Sequence, residues 1–81
     1  MELKDTIELM TSEDYKDRLK AEYYQTKIRY DKLHKMIIKH SAGKLDFTPP
    51  CPINVLMTQE RCMNEYLKQL EIRAEIEGIE L

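Results

Sequence analysis

Twenty-nine consecutive residues, Ser12 to His40, pass without a glycine or a proline. Within them Leu19, Tyr23, Thr26, Tyr30, Leu33 and Ile37 recur at alternating spacings of four and three, the seam of a long amphipathic helix. The spacing predicts helix over residues 12–40, roughly 40 Å at 1.5 Å per residue. Thr11 and Ser12 offer N-cap oxygens, Thr11 with Asp14 makes a loose capping box, and Glu13, Asp14 and Asp17 sit where the helix dipole favours acids. Lys35, Lys39 and His40 suit the other end, and Gly43 is placed for a left-handed stop. A second apolar row, Ala21, Tyr24 and Ile28, runs beside the seam. One partner helix needs only the narrower stripe, so this face implies contact with more than one.

The rest of the chain supplies the partners. Residues 1–11 place Leu3, Ile7 and Met10 on one helical face, a short helix or arm that would not hold alone. Residues 41–52 contain all three prolines and the only phenylalanine, so this loop is extended and stiff, with Leu45 and Phe47 expected to turn inward over the end of the bundle. Residues 53–77 form a second long helix, with Leu56, Glu60, Met63, Leu67, Leu70 and Ala74 as its seam and Val55, Gln59, Cys62, Tyr66, Ile72, Arg73 and Ile76 flanking it. In the tail, 78–81, Ile79 and Leu81 are apolar and predict packing rather than fraying. The fold class is therefore all-α: a short N-terminal helix, then an antiparallel hairpin of two long helices, in a single domain over 1–81. A chain of 81 residues buries a small share of its surface, so a helical homo-oligomer is expected.

Charge is divided between the arms. Residues 12–44 hold nine Lys or Arg against five Asp or Glu, and residues 45–81 hold three against seven, within a net charge of −2. Opposite arms favour antiparallel pairing of the helices, and equally suit a basic surface for an anionic ligand. Cys51 and Cys62 lack the spacing of a disulfide framework or a zinc site and are expected to be free thiols in a reducing cytosol. No Gly-rich phosphate loop or Cys–His nucleophile arrangement is present, and Glu71, Glu75 and Glu77 read as a solvated face rather than a metal set. The expectation is no enzyme, no metal and no cofactor. No apolar run is long enough to span a membrane, and the acidic residues of Met1–Met10 do not suit a signal peptide, so a soluble, intracellular protein is expected.

Five Tyr against one Phe and no Trp is an unusual ratio for packing alone, and Tyr15, Tyr23, Tyr24 and Tyr30 all lie on the basic helix. Tyr23 and Tyr30 belong to the seam. Tyr15 is less constrained; it falls in the first turn, where free backbone amides favour anions. Rings beside Lys27, Arg29, Lys32 and Lys35 are a combination that binds bases and phosphates together.

The pattern YKDRL, then KIRYDKLHKMI, then the loop LDFTPPCP, then LMTQERCMNEYLKQLEIRAEIEGI resembles the small phage proteins related to the anti-CBASS cyclic-nucleotide sponge. The resemblance spans residues 12–79. It implies a compact helical protein assembled into a homohexamer that sequesters cyclic di- or trinucleotide signals of bacterial defence without cleaving them, in the cytoplasm of the infected host. Sites would lie between protomers. A tyrosine early in the first long helix would stack on a base and a basic residue about four turns on would reach phosphate, which fall on Tyr15 and Arg29; Lys27, Lys32 and Arg73 are further ligand-binding positions. Arg29 departs from the lysine typical there, and the two cations differ in phosphate geometry. Two other readings stand beside this one: a helical-hairpin scaffold acting through protein contacts, and a DNA or RNA binder, which the acidic second half disfavours.

Overall fold

A computed structural model describes all of residues 1–81, and every regular element in it is helical. A 3₁₀ turn over Leu3–Thr6 leads into a one-turn helix, α1 (Ile7–Met10), followed by α2 (Tyr15–Ser41) and α3 (Ile53–Glu77). Three links across the hairpin run in opposite chain directions, Tyr15 to Glu77, Tyr23 to Glu71 and His34 to Glu60, so α2 and α3 are antiparallel. Both predicted seams face inward. Leu19 and Ile37 of α2 and Leu67, Leu70 and Ala74 of α3 are buried, and the remaining seam positions are half-buried.

α2 begins three residues later than its spacing predicts. Ser12 is not its first turn. Its hydroxyl instead accepts from the Asp14 amide at 3.1 Å and donates to Asp17 Oδ2 at 2.9 Å. Asp14 is the N-cap, accepting from the Lys16 amide at 3.0 Å, while the Thr11 hydroxyl turns back to the Ile7 carbonyl at 3.1 Å and serves α1. At the far end Gly43 takes φ 71°, and Lys44 N–H reaches the Lys39 carbonyl at 2.8 Å, the left-handed stop expected there.

The breadth of the α2 face has its explanation in the N-terminal arm. Ala21 is 1% exposed although it lies on the side of α2 away from the hairpin seam. The 3₁₀ turn and α1 pack against α2 and not against α3, so the arm is the second partner. Its inward residues are not those of the expected face. Thr6 is 1% exposed and Leu3 and Leu9 are half-buried, whereas Ile7 and Met10 point outward. The change from 3₁₀ to α winding at Ile7 breaks the single 3.6 period on which the expectation rested. Thr6 satisfies its hydroxyl on the Leu3 carbonyl at 2.7 Å, which makes its burial affordable.

The loop also departs from expectation in one position: Leu45 is half-buried, but Phe47 is 53% exposed. The chain bends at Phe47, so residues two apart no longer share a side. The tail packs through Ile79 as predicted, while Leu81, expected to pack as well, stays 37% exposed at the chain end. Gly78 takes φ 69°, Ile79 N–H returns to the Ala74 carbonyl at 2.8 Å, and Ile79 is buried in a cluster with Leu19 and Ala74. A Cβ added at Gly78 would meet nothing within 4 Å. Gly78→Ala is therefore expected to cost only the left-handed backbone penalty, about 1 kcal/mol, read as a small drop in the urea midpoint at unchanged slope.

Candidate functional site: an exposed tyrosine, arginine and glutamate cluster

Tyr15 is the first residue of α2, and the antiparallel register sets it beside the last turns of α3. There the Arg73 Nη2 donates to the Tyr15 hydroxyl oxygen, and the same hydroxyl donates to Glu77 Oε2 at 3.4 Å. Arg73 Nε also pairs with Glu77 Oε2 at 3.6 Å, closing a three-residue ring. The Arg73 guanidinium is held above its ordinary pKa, first by the hydrogen bond to Tyr15 and by its phenol, then by the charges of Glu77 and Glu22. Tyr15 keeps 43% of its surface exposed, so its ring is available for stacking. The predicted anion-binding amides of the first turn are not available in the same way. The Asp14 carboxylate already occupies the Lys16 amide and adds negative charge there.

The five positions singled out in the sequence do not converge within one chain. Tyr15 and Arg73 meet. Arg29 is exposed on the same side of α2 as Tyr15, since fourteen residues are nearly four turns, but lies about 21 Å along the helix. One nucleotide does not bridge that gap between a base and its own phosphate. Lys27 points to the opposite side, where it pairs with Asp31 at 3.2 Å and lies 5.5 Å from the centre of the Tyr30 ring. Lys32 is exposed and makes no ion pair.

Charge pairing between the arms is weaker than the sequence pattern suggests. No Lys or Arg of α2 pairs with a carboxylate of α3; Tyr15, Tyr23 and His34 make those links. Arg29 and Lys32 consequently keep their charge for solvent or a partner. Glu71 and Glu77 are not merely a solvated face, since each accepts a tyrosine hydroxyl across the hairpin. Glu77 is the member of the cluster that sequence reasoning missed. Its signal was its place four residues after Arg73, the spacing of a helical ion pair.

Two further polar assemblies line the other side of the hairpin. His34 Nδ1 meets Glu60 Oε2 at 2.7 Å, and its ring stacks on Tyr30 with centroids 5.6 Å apart. Tyr23 donates to Glu71 Oε2 at 2.8 Å, and its phenol is pushed up to about 12, first by burial and then by the hydrogen bond to and charge of Glu71. Because the folded value lies above the ordinary value of 10.0, the contribution of Tyr23 is complete below that pH and is lost as pH rises towards 12. Wild type is expected to lose about 1–2 kcal/mol more than Tyr23→Phe across this window, measured by urea unfolding at stepped alkaline pH.

The molecule has one open concavity, about 470 Å³, with Tyr23, Glu71, Glu75 and Glu80 around Ala74 and Ile79. It contains no cation and none of the candidate ligand residues, so it is unsuited to a phosphate. No three His, Cys, Asp or Glu side chains converge as a metal set, both cysteines are free, and no helix is long and apolar enough to cross a membrane.

Comparison with curated proteins and with solved structures returned no match. A family model described as Sequestin matches residues 13–76, which covers α2, the proline loop and nearly all of α3. The chain therefore belongs to the Sequestin family.

Proposed function

We propose that this chain captures cyclic di- or trinucleotide immune signals without cleaving them, and so keeps a bacterial defence effector off during phage infection. The observation that carries the reading is the exposed Tyr15 ring held beside the Arg73 guanidinium, a stacking face and a fixed cation together. The family name is compatible with a sequestering protein. The cytoplasm of the infected host is where such signals are met.

Capture requires assembly. A 9.7 kDa chain with eight buried residues cannot enclose a ligand of nucleotide size, and the separation of Tyr15 from Arg29 suits a site to which two copies contribute. α3 supplies an outer face for assembly: Val55, Tyr66, Ile72 and Ile76 are 49%, 43%, 42% and 79% exposed. We take the assembly to be a homo-oligomer, a hexamer in keeping with the sponge-like sequence pattern. Stoichiometric binding suffices for the task, because at protein concentrations well above a nanomolar Kd, about −12 kcal/mol, nearly all ligand is held.

The test is calorimetry with a panel of cyclic di- and trinucleotides, alongside light scattering for mass. Binding with release of intact ligand on heat denaturation is the expected result. An absence of heat across the panel, or recovery of cleaved product, overturns the reading. The exposed α3 stripe also favours a second reading, a helical-hairpin scaffold whose partner is another protein. Specific capture of one protein partner by a chain that binds no cyclic nucleotide would establish that one instead.

A further inference from the structure

We infer that Glu77 sets the ligand specificity of the Tyr15–Arg73 cluster, by admitting phosphodiesters and rejecting nucleotides that carry a terminal polyphosphate. The inference rests on the function proposed above. One carboxylate oxygen, Glu77 Oε2, serves both partners, accepting from the Tyr15 hydroxyl at 3.4 Å and pairing with Arg73 Nε at 3.6 Å. The arginine is thus already matched in charge before any ligand arrives, and the Glu22 carboxylate lies near enough to act on it too. An incoming anion meets an oriented donor but no net positive field.

Glu77 pairs with Arg73 one turn back on its own helix, yet its place at the helix end runs against the dipole. Glu77 is the last residue of α3, whose final turn contains no basic residue. The negative end of the helix dipole disfavours an acid there. Glu75 shares that last turn, and of the two acids it is Glu77 that is aimed at the arginine holding the exposed tyrosine. It occupies the Nε edge of the guanidinium and leaves Nη1 donors free, since Arg presents five N–H groups. A ligand can then stack on Tyr15 and take one phosphate contact while Glu77 stays in place.

Repulsion from a fixed carboxylate grows with ligand charge. In a water-like dielectric two unit charges at 4 Å differ by about 1 kcal/mol, or roughly fivefold in affinity. A phosphodiester brings one charge to the contact. A linear nucleotide such as ATP brings several on adjacent groups and is penalised repeatedly. Discrimination of this kind is built from a repulsive element as much as from an attractive one. Gln at position 77 keeps an acceptor for Tyr15 and Arg73 and removes only the charge.

The experiment compares wild type and Glu77→Gln, each titrated with ATP and with cyclic di-AMP at low and at high salt. Expected is a gain for ATP of at least about tenfold, a gain for cyclic di-AMP of no more than about fivefold, and contraction of both gains at high salt, as screened charge repulsion requires. Equal gains for the two ligands, a loss for either, or no change overturns the inference. Failure of the wider reading looks different: if no member of the cyclic nucleotide panel binds wild type, sequestration falls. A salt-sensitive gain for ATP in Glu77→Gln would then still support charge exclusion by Glu77, and its absence would overturn it.

Discussion

Leu70→Ala is expected to lower the unfolding free energy by about 3 kcal/mol. Leu70 is fully enclosed at 0% exposure, with Leu67 and Ala74 buried on the same seam of α3. Removing its isobutyl group forfeits transfer energy and leaves a cavity between two long helices that cannot close without shifting the pair. Only eight residues of 81 are buried, so few other contacts compensate. Helical circular dichroism against urea, at one fixed protein concentration because self-assembly would shift the apparent value, measures the effect. A loss below about 1 kcal/mol would mean that the seam is not where the hairpin draws its stability.

Tyr15→Ala is expected to weaken cyclic nucleotide binding by about 1–3 kcal/mol, the range for loss of one stacked base, and to leave helix content unchanged because the ring is 43% exposed. Tyr15→Phe separates stacking from hydrogen bonding. It retains the ring but gives up the links to Arg73 and Glu77, and most of the affinity should survive if stacking dominates. Arg29→Ala should weaken binding within the same range through a charge-assisted contact supplied by a neighbouring copy. Calorimetry reads the affinities and light scattering the mass. If Tyr15→Ala or Arg29→Ala reduces the protein to monomer, that residue belongs to assembly and not to the ligand.

The clearest sequence signals were those with a strong period and no competing constraint. Both seams, the Gly43 stop and the inward turn of Ile79 were legible because each follows from spacing or from a φ that glycine adopts without strain. Signals weakened where two local demands compete. Asp14 and Ser12 are both good caps, and the preference of Ser12 for the Asp14 amide and Asp17 moved the start of α2 to Tyr15. The arm failed as one amphipathic helix because it winds as 3₁₀ before it winds as α, which brings Thr6 inward and turns Ile7 outward. Phe47 failed because the loop bends at that residue.

The Gly- and Pro-free stretch Ser12 to His40 thus determined a helix, its buried stripe and the need for more than one partner. Periodicity settles such matters because it states which side chains share a face, whatever the face meets. It does not state which residues of two helices lie at the same height. Register between α2 and α3 brought Arg73 and Glu77 to Tyr15, whereas the place of Lys27 beside Asp31 and Tyr30 and the roughly 21 Å from Tyr15 to Arg29 follow from the winding of α2 alone. That register comes from the closing of Leu19 of α2 against Ala74 and Ile79 across sequence separations that no local pattern encodes.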